Sequence, residues 1–418
     1  MECDEEPPED DDDECSQTGA PINVTDGNMY HEERDIELKI PGIGLNFSRF
    51  YNSTSTRTGS LGYGWTHNFE IVLQDLGGSK VRASGPRGKG VTFRQYIASY
   101  PEHGYEDRTS FPKFGQKKNE LNWDHDLETY SWLNKNGLSY VLDSEGKALQ
   151  VQDGKGTTLT FSYNAGTGRL ESLTDNFGRS LTFAYYGDGK LERVTDPVGR
   201  SVIYHYNGDN LTLVDYPDGR HKTYKYQDPY DSHNLTSILL GQEGAGATEV
   251  EYQWSYDSQD RAISSSKAGG NELITLTYLS DTQTRMVNSR GEPTTFTFDR
   301  IQGRLKILQV EGPGCPSCGA DSDLQYGYDS NQNLVSVTDG KGNVTAYQDH
   351  DSLGQPWTVI EADGSPEERT VSYQYHPELP GVILSRTTES VLNPSDPTDA
   401  LTLYDYDDPA APGDNPII

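Results

Sequence analysis

"VTDPVGRSVIYHY", residues 194–206, reads as a turn followed by a strand. Asp196-Pro197-Val198-Gly199 has the residue order of a type I β-turn, with Asp first, Pro presetting φ second and Gly closing the fourth position. Beyond it Val202, Tyr204 and Tyr206 alternate with Ile203 and His205. A period of two in β-branched and aromatic residues marks a strand. Nothing in the stretch is reactive. His205 has no second His, Cys or carboxylate at ligand spacing, so it reads as a side chain on one strand face.

The stretch recurs. Leucines stand at Leu149, Leu170, Leu191 and Leu211, spaced 21, 21 and 20. Glycines stand at Gly156, Gly178, Gly199 and Gly219, spaced 22, 21 and 20. Tyr163, Tyr185 or Tyr186, Tyr206 and Tyr226 close the units, and the turns read DGKG, DNFG, DPVG and YPDG. A constant period near twenty with turn residues in phase is the mark of a repeat architecture. The unit is too short for a helix pair and lacks the asparagine ladder of leucine-rich repeats, so two short strands per unit fit. Asp175 and Asp196 open turns in this scheme. The register blurs between Gln227 and Gln325, then returns in "YDSNQNLVSVTDGKGNVTAYQ", with Leu334, Asp339, Gly342 and Tyr347 at the same offsets.

The bulk of the chain agrees with this. Its 418 residues include 43 Gly and 27 Tyr, and only 33% are hydrophobic, which suits many short strands with half-wet faces and not a thick helical core. The formal net charge is −31. A body this acidic repels phosphate backbones and anionic lipid, so nucleic acid is not an expected partner. No apolar run reaches the length of a membrane span, so membrane insertion is not expected. Met1 leads straight into acids, without the basic and apolar regions of a signal peptide. The expectation is a secreted or cell-surface protein, either trimmed or exported by a route that needs no such signal.

Three regions follow: an acidic disordered linker at 1–19, a strand-rich N-terminal β domain at 20–130, and repeat hairpins over 131–418. The linker contains "EEPPEDDDDE", which buries too little apolar surface to order. In the second region Tyr63, Trp65 and Phe69 of "GSLGYGWTHNFEIVL" read as core aromatics near tight glycine bends. The chain ends in "YDYDDPAAPGDNPII" without a cap, so pairing of the last edge or a continuing chain is expected.

Candidate chemistry is sparse. Cys315-Pro-Ser-Cys318 is the sharpest motif, a disulfide loop or a weak metal pair. A zinc site needs two more ligands, Cys3 and Cys15 are far off, and a redox pair belongs beside a βαβ unit that is absent. Asp329-Ser-Asn331-Gln-Asn333 imitates the start of a calcium loop, but Leu334 replaces the required Gly and Gly340 the closing Glu, leaving a turn. His67 reads as a buried histidine tied into a bend, and "WDHD" at 123–126 as an exposed loop. No GxSxG, HExxH or P-loop occurs. No catalytic residue, metal site or cofactor is assigned.

The pattern G-x-L-x-x-V-T-D-x-x-G-x-x-x-x-x-Y-x-Y resembles the YD repeat of the rearrangement-hotspot (Rhs) family, which includes bacterial polymorphic toxins, insecticidal toxin-complex shells and the teneurins. "DGNMYHEERD", "PGIGLNFSRFYNS" and "GSLGYGWTHNF" look like the segment that precedes the repeats in bacterial members. The resemblance covers about residues 20–380. It implies an all-β fold in which YD-repeat hairpins form a spiralling sheet ribbon or partial shell. Asp175, Gly178, Tyr186, Asp196, Gly199, Tyr206, Gly219, Tyr226, Asp339 and Gly342 are then the repeat-defining turn and strand residues.

The implied function is non-enzymatic: part of a shell or surface ribbon that encloses or presents a C-terminal toxin or effector, with the rest of a longer chain or that cargo as partner. The alternative is a secreted or cell-surface module that binds glycans or protein. The family's self-cleavage motif, a Pro preceding Asp-Pro-x-Gly-Leu, is not carried over. Its nearest match, at Asp196, has Arg200 for the Leu and Leu191 for the Pro.

Overall fold

The computed structural model describes residues 17–18, 21–38, 43–85, 90–100, 105–112, 119–134, 137–154, 156–242, 246, 249–301, 304–312, 323–351, 354–375, 383–389 and 400–404. It is all-β. A 25-stranded antiparallel sheet begins at Glu120–Asp124 and ends at Ala400–Leu403, every strand paired with its neighbours in sequence. It is one long meander with no crossover, as consecutive hairpins dictate.

The sequence contains an apparent contradiction that the register resolves. Leu191 and Val194 are three residues apart, and in a regular strand such residues face opposite sides. Both are 0% exposed. A register shift between His205 and Tyr206 adds one residue to the ladder, pairing Tyr206 with Leu211. The same shift pairs Tyr163 with Leu170, Tyr185 with Leu191, Tyr256 with Ala262, Tyr328 with Leu334 and Tyr375 with Ile383. Such a bulge re-aims the strand and raises its twist. The repeat tyrosine and leucine are therefore the two sides of a bulge, and L-x-x-V is its signature.

The first unit differs from the sequence reading. There the inward residue is Ala148, 0% exposed, and Leu149 is only half-buried, because a bulge pairs Leu142 with Ala148. From Ala148 the spacing becomes 22, 21 and 20, that of the turn glycines.

Residues ahead of the big sheet form smaller ones. A three-stranded sheet joins Tyr30–Ile36, Phe47–Asn52 and Trp65–His67, and a four-stranded sheet joins Val72–Gly77, Lys80–Ser84, Gly90–Tyr100 and Tyr105–Pro112. Strand pairing begins at Gln17–Thr18, which joins Ile22–Asn23, inside the stretch expected to be linker. Residues 1–16 lie outside the described ones. The three-stranded sheet packs on one face of the meander, and one core runs from Ile22 to Val310 through both.

Candidate functional site: the seam between the N-terminal layer and the sheet

The repeat turns position the sheet's rim. At Asp196 the carboxylate accepts the N–H of Val198 at 3.0 Å and of Arg200 at 2.9 Å, and the Nε–H of Arg200 at 2.7 Å. Gly199 donates its N–H to Asp196 O at 3.0 Å and has φ +88°, a type I turn followed by a left-handed glycine. Asp175 with Gly178 and Arg179, and Asp339 with Gly342 and Asn343, repeat this geometry. Burial pushes the Asp196 carboxyl up, but the N–H of Arg200 and its guanidinium outweigh that and hold it below the usual range.

The repeat tyrosines close the other rim. Tyr206 donates its hydroxyl to Leu191 O at 2.8 Å and Tyr226 to Leu211 O at 2.9 Å, each reaching the leucine that opens its own unit. Tyr163 does the same to Ala148 O at 2.8 Å. Tyr186 departs from this and donates to Tyr204 O at 3.0 Å. His205, read as a side chain on one strand face with no carboxylate at ligand spacing, has Nε2 2.8 Å from Asp215 Oδ2. The partner is ten residues away in sequence but lies on the adjacent strand, which ligand spacing does not capture.

In the YPDG turn, Gly219 keeps its bond to residue 216 at 3.1 Å and its φ of +82°, but the first position is Tyr216 instead of Asp. Tyr216 turns its hydroxyl onto Asp35 Oδ1 at 2.9 Å. That contact belongs to a polar cluster that sequence reasoning missed. The side chains of Arg49 and Asp35 are both 0% exposed and face each other, with Arg49 Nη2 to Asp35 Oδ1 at 3.0 Å. Tyr204 donates to Asp35 Oδ2 at 2.8 Å, and Arg49 Nη2 donates to Tyr224 OH at 2.8 Å. The guanidinium lies 4.9 Å from the Trp65 ring centroid and 5.3 Å from that of Tyr224. Asp35 thus receives four donors, and burial together with Asp35 keeps the hydroxyls of Tyr204 and Tyr216 protonated.

A second cluster sits beside it. Lys222 Nζ is 2.8 Å from Glu33 Oε2 and 2.7 Å from Glu251 Oε2, and His31 Nε2 is 2.9 Å from Glu33 Oε1. His31 packs edge-on against Tyr252 and Trp254. Burial raises the Glu33 carboxyl, but the His31 hydrogen bond and the charges of His31, Lys222 and Arg49 pull it down to about 2.

Backbone bonds complete the seam. Tyr63 N–H binds Asp209 O at 2.8 Å, Leu191 N–H binds Ser60 O at 2.7 Å, Ala262 N–H binds Gly27 O at 2.9 Å and Leu73 N–H binds Gly146 O at 2.8 Å. Gly62, at φ +91°, lies where a Cβ would stand 2.3 Å from Asp209 O. This close approach is what the glycines of "GSLGYGW" provide. Contacts spread from Gly146 to Ala262 mean that the sheet curls around the layer.

His67 is 3% exposed and its Nδ1 accepts Phe69 N–H at 3.2 Å, so its proton is assigned to Nε2. His125 and Asp126 are exposed in the turn after Glu120–Asp124. Asp329 opens a turn, accepting the N–H of Asn331 and Asn333. Cys315 and Cys318 lie outside the described residues. Among the described residues no three His, Cys, Asp or Glu side chains are grouped to hold a metal. No described helix is long and apolar enough to cross a membrane. A shallow cleft of about 260 Å³ opens beside Asp35, Asp196, Arg200 and Arg220. The seam's ionic groups are paired with one another, so it binds the two layers together.

An all-β repeat sheet with an inner layer clasped to it by its own N-terminal strands defines a structural β-shell module. Three stretches match known families: residues 19–93 a domain of unknown function, DUF6531, residues 117–313 the Teneurin YD-shell, and residues 328–366 the RHS Repeat. The chain belongs to the Rhs/YD-repeat family. No curated protein matches it.

Among solved structures, it is similar to the crystal structure of TcdB2-TccC3-Cdc42, at 11% identity and TM-score 0.43, over 93% of this chain and 22% of that one. It is also similar to the Photorhabdus luminescens Tc holotoxin pore, at 12% identity and TM-score 0.36, over 94% and 22%. The chain thus spans 22% of the length of these chains.

Proposed function

We propose that this chain is wall: a non-enzymatic module of a longer Rhs/YD-repeat protein whose sheet encloses or presents a C-terminal toxin or effector outside the producing cell. In this reading the acidic stretch before Gln17 is a linker, the strands from there to Tyr105–Pro112 are the inner-layer domain, and the wall begins at Glu120–Asp124, ahead of the boundary at 131 that the sequence suggests. The observation that carries it is the seam. The sheet turns one apolar face inward, and the chain's own N-terminal strands seal that face with buried pairs such as Arg49–Asp35. A wall needs such locked geometry, whereas a catalyst needs polar groups left free for a substrate.

The test is the size of the native polypeptide in source cells and medium, by immunoblot with antibody against residues 20–418. A band far above 46.4 kDa is expected. A secreted band near 46.4 kDa would overturn the shell reading and favour a free-standing binding module.

A further inference from the structure

One hairpin tip differs from its neighbours in what holds its asparagine. At Asn164 and Asn288 the side chain that opens the turn is fixed as an acceptor. Asn164 Oδ1 takes the N–H of Gly166 and of Thr167 at 3.0 Å each, and Asn288 Oδ1 takes those of Arg290 and Glu292 at 3.0 and 3.1 Å. Asn207 is held by nothing of the kind. It ends the strand Ser201–Asn207, pairs with Asn210 as the last rung of its hairpin, and is exposed together with Gly208 and Asp209. Among the described residues no hydrogen bond reaches its side-chain amide, and none engages the N–H of Gly208. Gly208 takes the first place of the two-residue turn, at φ +57°.

An asparagine followed by glycine carries its own nucleophile. The Gly208 nitrogen, once base has taken its proton, attacks Cγ of Asn207. The N–Cγ bond forms, the Cγ–Nδ2 bond breaks, and Nδ2 leaves as ammonia with a proton supplied by water. A second water opens the resulting succinimide ring at one of its two carbonyls and gives aspartate or isoaspartate. Glycine favours the attack because no Cβ crowds its nitrogen. A side-chain oxygen tied to nearby N–H groups, as at Asn164 and Asn288, is held away from that geometry. The last rung of a hairpin opens more readily than its interior, which gives Asn207 the freedom the attack needs. The other Asn-Gly pair, Asn136-Gly137, has its asparagine outside the described residues.

The turn sits where the sheet meets the N-terminal layer. Tyr206, just before it, donates its hydroxyl to Leu191 O, and Asp209, within it, accepts the Tyr63 N–H at 2.8 Å. The Asp209 carbonyl lies so close to Gly62 that a Cβ there would stand 2.3 Å away. Isoaspartate routes the main chain through Cβ and Cγ, which adds one carbon to the turn and displaces a carbonyl seated that tightly. It also adds a charge to a rim where Lys190 already bridges Asp188 and Asp209, with Nζ at 2.9 and 3.3 Å. We propose that Asn207 is a self-modification site that converts to isoaspartate without an enzyme, and that the conversion frees the Tyr63 N–H and loosens the seam at this end. The proposal does not depend on the shell reading.

The test ages the full 418-residue chain in mildly alkaline buffer, maps its peptides by mass spectrometry, and reads isoaspartate with protein-isoaspartate methyltransferase. Amide exchange at Tyr63 is followed in fresh and aged chain. Asn207 is expected to convert with release of ammonia, and exchange at Tyr63 in the converted fraction to run about tenfold faster, as for loss of one hydrogen bond. Fresh Asn207→Asp carries the charge without the extra carbon, and Asn207→Gln closes the larger ring far more slowly. Both are expected to exchange at Tyr63 as fresh wild type does, and Asn207→Gln to stay so on ageing. An Asn207 that keeps its amide under conditions that convert a free peptide of residues 204–211 overturns the proposal. So does unchanged exchange at Tyr63 in converted chain, or fast exchange already in fresh Asn207→Asp, which assigns the effect to charge.

Discussion

Arg49 and Asp35, fourteen residues apart on adjacent strands, form a two-point ion pair with both side chains 0% exposed, roofed by tyrosines from more than 150 residues further along the chain. Such a pair is weak evidence for net stability, because desolvating two charges offsets most of their attraction. It is strong evidence for geometry, since the pair forms only when the N-terminal layer and the sheet are in register. Asp35→Asn leaves the guanidinium buried and unbalanced, and a loss of about 3–5 kcal/mol is expected. The double variant Arg49→Met, Asp35→Leu recovers only part of it, because the hydroxyls of Tyr204 and Tyr216 lose their acceptor. Urea unfolding followed by intrinsic fluorescence measures both.

Gly62→Ala combines left-handed strain with a Cβ 2.3 Å from Asp209 O. A cost of about 2–5 kcal/mol is expected from strain plus overpacking. Gly154→Ala, where nothing stands within 4 Å, is close to neutral. Thermal unfolding of the two variants separates close approach from a plain turn.

Tyr206→Phe removes the hydroxyl that binds Leu191 O at 2.8 Å while keeping the ring. The expected loss is about 1 kcal/mol, with Leu191 O left without that donor. Faster amide exchange confined to residues near Leu191 and Tyr206 would locate the effect at one hairpin. Uniform acceleration along the sheet would contradict the reading of each unit as separately clasped.

Acid weakens the seam in two windows. Burial lowers the His67 pKa below 6.5, so the unfolded chain takes the proton first and stability falls as pH drops below about 6.5. Glu33 is held at about 2 against 4.5 in an unfolded chain, so its contribution is complete above 4.5 and is lost as pH falls from there toward 2. Urea midpoints across pH 2–8 are expected to show both losses. His67→Gln removes the upper one, and Glu33→Gln shrinks the lower, leaving the part that the turn carboxylates Asp175 and Asp196 contribute, since both are held below their usual range.

The hairpins were legible in the sequence because they are local. Asp196, Gly199 and Tyr206 lie within eleven residues, and turn chemistry plus a period of two fixes their roles. The bulge was half legible: L-x-x-V was visible as a spacing, but its meaning needs the cross-strand partner. The Leu149 reading missed by one position because Ala148 carries too little apolar signal to mark the inward site. The seam was not legible at all. Arg49, Asp35 and Glu33 look like ordinary strand charges until Tyr204, Tyr216, Tyr224 and Lys222 are brought over them, and no local pattern encodes a contact across 150 residues. Tyr216 at the first position of a turn that elsewhere carries Asp was the one available hint.

The central claim is that this sheet is the wall of an enclosure with its apolar face inward. Cryo-electron microscopy of the native particle, captured through residues 20–418, tests it most directly. The account predicts a closed β-walled particle with the layer at Phe47–Asn52 on the inner side of the sheet and further density enclosed by the wall. An open ribbon with no enclosed density would contradict it.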